Sequence, residues 1–90
     1  MMTKYVIERD VPNVGALSAE VLREMSLTSI RALGSLAPKV QWIHSYVTDN
    51  KLYCIYLADD EETVRAHARV AGLPVDRISA VRHLLDPANF

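Results

Sequence analysis

The chain has 90 residues, half of them apolar, with ten basic and eleven acidic side chains for a net charge of −1. That length allows one domain over residues 1–90, and the composition is globular rather than disordered. Balanced charge without a Lys/Arg block excludes the footprint of a nucleic-acid or anionic-membrane binder, and no segment reaches the ~20 apolar residues of a membrane span. The one cysteine, Cys54, cannot form an intrachain disulfide, and the opening residues hold no apolar run of signal-peptide length. A cytoplasmic protein is the expectation.

The run KYVIE, residues 4–8, alternates as a strand does, with Tyr5 and Ile7 on one face and Val6 and Glu8 on the other. Pro12 and Gly15 interrupt it. Ser18 then suits a helix N-cap, and Glu20 and Glu24 favour the positive end of the helix dipole. Leu22, Met25, Ile30, Leu33 and Leu36 give a roughly helical apolar stripe, and Pro38 is expected to end it.

QWIHSYVTDNKLYCIY, residues 41–56, reads as a hairpin about a two-residue Asp49-Asn50 turn, both residues tolerating left-handed angles. Thr48 then opposes Lys51. The pairs Tyr46–Tyr53, His44–Ile55 and Trp42–Leu57 share one face; Val47–Leu52, Ser45–Cys54 and Ile43–Tyr56 share the other. A slip of one residue would exchange the faces. In the next helix, DDEETVRAHARVAG, Asp59 with Glu62 makes a capping-box pattern, Glu61 and Arg65 stand four apart, and Val64, Ala68 and Ala71 form the inner stripe. Gly72 and Pro74 close it. Residues 76–86 are expected to form the last strand.

The resulting order, β-α-β-β-α-β, is that of an α+β ferredoxin-like sandwich: a four-stranded antiparallel sheet with two helices on one face. Right-handed crossovers put both helices on the same side and leave the other face open. The aliphatic or small hairpin face, with Cys54 as a small buried hydrophobe, is assigned to the helices. The face with Trp42, His44, Tyr46 and Tyr53 suits an interface or a site, and an apolar sheet of that size calls for a homodimer.

Two readings of His44 stand side by side: a hydrogen-bonded core histidine, or a ligand or proton shuttle paired with Glu8 if strand register sets the two on one face. His67, three residues after Val64, belongs at the edge of its helix's buried stripe and is either structural or a further donor. No C-x-x-C, H-x-x-x-H or H-x-H spacing is present. A metal site must therefore be assembled from separate strands or across a dimer.

The segments KYVIERDVP, QWIHSYVTDNKLYCIYLADDEETVRAHARVAGLP and RISAVRHLLDP resemble a family of small bacterial proteins, catalogued as a domain of unknown function, whose structural namesake is a nickel-binding protein with a ferredoxin-like fold. The resemblance spans residues 4–87. It implies a dimer and Ni²⁺ as the metal. The residues that match the family's motif and carry donor atoms are Glu8, His44, Tyr53, Cys54, Glu61 and His67.

The leading expectation is thus a metal-binding homodimer with His44, Glu8 and His67 as ligands and Tyr46, Tyr53, Trp42, Cys54 and Glu61 around them. Nickel is the expected metal, and no organic cofactor is expected. The alternatives are a dimeric α/β-barrel-type enzyme, or a module binding a small molecule, on the open face around His44.

Overall fold

The computed structural model describes residues 2–34 and 39–89. The elements are β1 (Thr3–Asp10), a 3-10 turn (Val14–Ala16), α1 (Ala19–Leu33), β2 (Val40–Val47), β3 (Lys51–Ala58), α2 (Glu61–Ala71) and β4 (Arg77–Ala80). The sheet order is β2-β3-β1-β4, with every neighbouring pair antiparallel. This is the ferredoxin-like α+β fold. Among the described residues, no helix is long and apolar enough to cross a membrane.

The central pairing runs from Thr3↔Ala58 to Asp10↔Lys51 without a break. It sets Tyr5, Ile7 and Arg9 of β1 beside Leu52, Cys54, Tyr56 and Ala58 of β3, all buried beneath the helices. Val14, Val40 and Val64 complete the buried cluster. Val6 and Glu8 of β1 share the opposite face with Tyr53, Ile55 and Leu57.

The hairpin turn is as expected: the Thr48 amide donates to the Lys51 carbonyl at 2.9 Å, and the Val47↔Leu52, Tyr46↔Tyr53, Ser45↔Cys54 and His44↔Ile55 pairs hold. Below His44 the register shifts. Trp42 pairs with Tyr56, not with Leu57, and Gln41 takes the place opposite Leu57. Ile43 is the extra residue of a β-bulge on an edge strand, where bulges are favoured. One inserted residue reverses the side-chain alternation. Trp42 therefore turns under the helices, where its indole Nε1–H donates to Ser45 Oγ at 3.0 Å, and Ile43, expected in the core, is 45% exposed.

Ser18 caps α1 as expected, accepting from the Val21 amide. The buried stripe of α1 differs: Ser29 and Ala32 are buried and Ile30 is half exposed. Steps of 3.6 residues from Leu22 arrive at 25/26, 29 and 32/33, which leaves position 30 about 80° off the line. Leu36 and Pro38 lie outside the described residues. In α2 the cap is Asp60, not Asp59; its carboxylate accepts from both the amide and the hydroxyl of Thr63. Those two bonds hold the Asp60 carboxyl below its ordinary pKa. Gly72 closes the helix in the left-handed region, at φ 69°.

β4 stops at Ala80, not near 86. The reason is its neighbour's length. The Val81 amide donates to the Lys4 carbonyl at 2.8 Å, and β1 begins at Thr3. No strand edge is left for residues beyond 81, and Leu84 and Leu85 stand 74% and 83% exposed.

The loop after β1 is fastened to the hairpin turn. The Val11 amide donates to the Asn50 carbonyl, Asn13 N–H to Asn50 Oδ1, and Gly15 N–H to the Asp49 carbonyl, at 2.9–3.0 Å. A Cβ on Gly15 would stand 2.7 Å from both Asp49 Cα and the Thr48 carbonyl oxygen. Gly15→Ala is expected to push the loop off the turn and lower unfolding free energy by about 1–3 kcal/mol, the usual cost of overpacking, read by urea denaturation. Asp60→Ala should lower the melting temperature clearly more than Asp59→Ala; the reverse order would restore the cap to Asp59.

Candidate functional site

The open face centres on Val6, Tyr53, Ile55 and Leu57, all half-buried, with charged residues around them. Two cross-sheet rows contain the expected site residues. One reads Tyr46, Tyr53, Glu8 and Arg77; the next reads His44, Ile55, Val6 and Ser79. Glu8 and His44 thus share a face. They stand two strands apart, about 10 Å across the sheet at ~4.8 Å per strand, with β3 side chains between them. His44 is exposed, and its ring meets that of Tyr46 edge-on, with centroids 5.1 Å apart.

Glu8 is not idle. Lys51 Nζ lies 3.7 Å from Glu8 Oε1 and 3.5 Å from Asp10 Oδ1. The negative charges on this corner, Asp10 above all, raise the Lys51 pKa. Glu61, at the start of α2, pairs with Arg65 Nε at 3.2 Å. Cys54 is a free, buried thiol on the helix side of the sheet.

His67 also lies on the helix side, so the sheet separates it from His44 and Glu8. It is fully buried rather than at an edge. Its Nε2 is 3.2 Å from the Tyr56 hydroxyl and 3.3 Å from Ser29 Oγ. Burial, and secondarily the charge of Arg9, pushes its pKa from 6.5 down to about 4, so it is neutral at pH 7. Burial likewise raises the Tyr56 phenol above its ordinary range. Within one chain, then, the three expected metal ligands do not converge. Among the described residues no three His, Cys, Asp or Glu side chains lie close enough to hold a metal ion.

The structure adds a residue that the sequence pattern alone did not single out. Arg9 is fully buried, its guanidinium 5.8 Å above the Tyr56 ring. None of its three nitrogens has a hydrogen-bond partner among the described residues, and the same holds for His67 Nδ1. The signal was present: the alternation Tyr5, Ile7 continues one step to Arg9. Beside this cluster, between α1 and the sheet, lies a small cavity of about 80 Å³, partly open to solvent. Its walls are mainly Leu22, Met25, Trp42, Val47, Leu52 and Leu73, with Ser29 and Tyr56 in common with the polar cluster. Trp42 belongs to this cavity, across the sheet from His44.

With the fold and both faces in view, the comparison with known proteins is direct. The family model described as nickel responsive protein SCO4226-like matches residues 5–81. The chain belongs to this SCO4226-like family. The crystal structure of SCO4226 from Streptomyces coelicolor A3(2) superposes with a TM-score of 0.75, covering 91% of this chain and 99% of that one at 15% identity. At that identity the superposition speaks for the shared fold. No curated protein matches the sequence. The family description, "nickel responsive", applies to a fold whose open face here carries an exposed imidazole.

The depressed His67 pKa fixes the sign of a pH dependence. Between about 4 and 6.5 the unfolded chain binds a proton at His67 that the folded chain does not. Stability from this group is therefore complete above pH 6.5 and declines as pH falls toward 4. The loss approaches roughly 3 kcal/mol, because each pH unit between the unfolded and folded pKa is worth ~1.4 kcal/mol. Urea midpoints measured from pH 7.5 to 4 should fall more steeply in the parent protein than in His67→Gln. Equal slopes would mean that His67 is not buried neutral.

Proposed function

We propose that this protein is a cytoplasmic, nickel-binding homodimer whose metal site lies on the open sheet face and draws donors from both copies. The observation that carries the reading is the exposed imidazole of His44 on the one sheet face the helices leave bare. The family's description supplies nickel as the metal.

The donor chemistry fits a borderline divalent ion: an imidazole nitrogen from His44 and a carboxylate from Glu8. The arrangement in a single chain does not fit. His44 and Glu8 are two strands apart, and Lys51 engages Glu8. A two-fold dimer presents each surface patch twice, so that His44 of one protomer can approach donors of its partner. His67, buried across the sheet, is left to a structural role in this arrangement. Two further features favour a second copy: the apolar centre of the open face, and the tail beyond β4, whose Leu84 and Leu85 lie largely uncovered. The free thiol of Cys54 suits a reducing compartment.

Tag-free, chelator-stripped protein should bind Ni²⁺ saturably in calorimetric titration, at a whole-number ratio to the dimer. His44→Ala should weaken that binding by at least about tenfold, as expected for loss of one ligand, while leaving the melting temperature near that of the parent. Light scattering should give a dimer at micromolar concentration. Undiminished stoichiometric binding by His44→Ala, or a monomer under nickel-saturated conditions, would reject the reading.

A further inference from the structure

One exposed imidazole holds a metal ion poorly, and the tail after β4 carries a second. Residues 82–85 are strung between two fixed points. Before them, the Val81 amide donates to the Lys4 carbonyl. After them, the Asp86 carboxylate accepts from the Ala88 amide and its carbonyl from the Asn89 amide, closing a turn. Among the described residues, no hydrogen bond ties 82–85 themselves to the rest of the chain. They form neither helix nor turn, His83 is exposed, and Leu84 and Leu85 are largely uncovered.

The alternation of β4 sets the faces of this segment. Arg77 and Ser79 pair with Glu8 and Val6 on the open face, whereas Ile78 and Ala80 pair with Ile7 and Tyr5 under the helices. Continued with the same period of two, the chain puts Val81, His83 and Leu85 on the open-face side and Arg82 and Leu84 on the other. The opposite edge of the sheet is β2. Among the described residues no strand covers that edge, which carries the exposed Ile43, Tyr46 and Val47. An unpaired strand edge and an extended segment without a neighbour are complementary. In one chain they lie at opposite ends of the sheet order. A second copy brings them together, and a two-fold axis does so twice.

We propose that residues 82–85 of each copy lie along the β2 edge of the other, and that His83 joins His44 of the partner subunit in one nickel site. This inference rests on the nickel reading above and names the donor that the second copy contributes. Alternation restricts the register. Ser45 and Val47 share the helix side with Cys54 and Leu52, so an open-face His83 stands beside either His44 or Tyr46 of the partner subunit. Beside His44 the two backbones are ~4.8 Å apart; beside Tyr46 the diagonal to His44 is about 8 Å. Two imidazoles bridge either span through one ion with metal–nitrogen bonds of about 2 Å, and imidazole suits nickel.

Area and charge both favour a second copy as the occupant. The three eight-residue strands alone give each open face roughly 400 Å², at ~4.8 Å per strand and ~3.3 Å per residue. Two faces bring about 800 Å², and the leucines of two exchanged tails carry the total toward the ~1,200–2,000 Å² of a stable dimer. Lys4, Lys51 and Arg77 nearly balance Glu8 and Asp10 on this face, so two copies meet without strong repulsion.

The test uses intact, tag-free, chelator-stripped protein and Ni²⁺. His83→Ala, at an exposed position, should keep the melting temperature of the parent. In calorimetric titration it should bind Ni²⁺ at least about tenfold more weakly, as His44→Ala does, since even groups that only orient a ligand are worth about ten- to hundredfold. The two variants are then co-expressed and the mixed dimer isolated. One of its two sites lacks both imidazoles and the other has both, so tight binding should return at half the stoichiometry of the parent. Without metal, a Leu84→Asp, Leu85→Asp double variant should shift toward monomer in light scattering. A mixed dimer without a tight site would overturn the exchange, and an unchanged dimer affinity in the leucine variant would overturn the docking of the tail. Binding by His83→Ala equal to that of the parent would overturn His83 as a ligand and leave the nickel reading standing. A parent protein that binds no Ni²⁺ would overturn both.

Discussion

The pairing of β1 with β3 is the constraint from which the rest of this structure follows. Both strands have eight residues and match along their full length. The period of two along a strand then decides every face at once. Tyr5, Ile7 and Arg9 must go under the helices if Val6 and Glu8 are to stay on the open face. The core gains two large apolar side chains from this register, together with a guanidinium it cannot neutralise by itself. The register is held by the sum of its pairs, and Arg9 is carried inward by them.

The two faces therefore differ in kind. The helix side is covered, with a neutral histidine, a phenol, a serine hydroxyl and a buried cation beside a small apolar cavity. The open side is wider and wetter, with His44 accessible and Glu8 drawn into the Lys51 corner. Burial suppresses protonation of His67 and disfavours its use as an acid near neutral pH, whereas an exposed His44 is free to offer its ring nitrogens to a metal. The sheet between them keeps the two chemistries apart.

Much of the fold was legible in the sequence because it depends on local chemistry. Ser18 and Gly72 announce helix ends through side-chain capping and left-handed geometry, and Asp49-Asn50 announces a turn. Four of the six hairpin pairs follow from that turn. The other two failed at Ile43, since a bulge inserts a residue without any Gly or Pro to mark it. Beyond the bulge the faces exchange, and Trp42 moves from the expected open face to the cavity. Asp59 and Asp60 offer the same side chain, so composition alone does not decide between them as cap. The length of β4 depends on where β1 begins, which is a tertiary fact. The candidate site was legible in part. His44 was singled out correctly as an open-face residue. The separation of His44 from His67, and the cluster of Ser29, Tyr56 and Arg9, arise only when strands and helices distant in sequence are stacked.

The most direct test of this two-sided account is paramagnetic mapping with Ni²⁺ in ¹H–¹⁵N spectra of the assigned protein. Broadening should centre on His44, Tyr46 and Tyr53 and reach Val6 and Glu8, while the side-chain signals of His67 and Arg9 keep their intensity. Broadening centred on His67, Ser29 and Arg9, with His44 untouched, would place the metal beneath the helices and contradict the account.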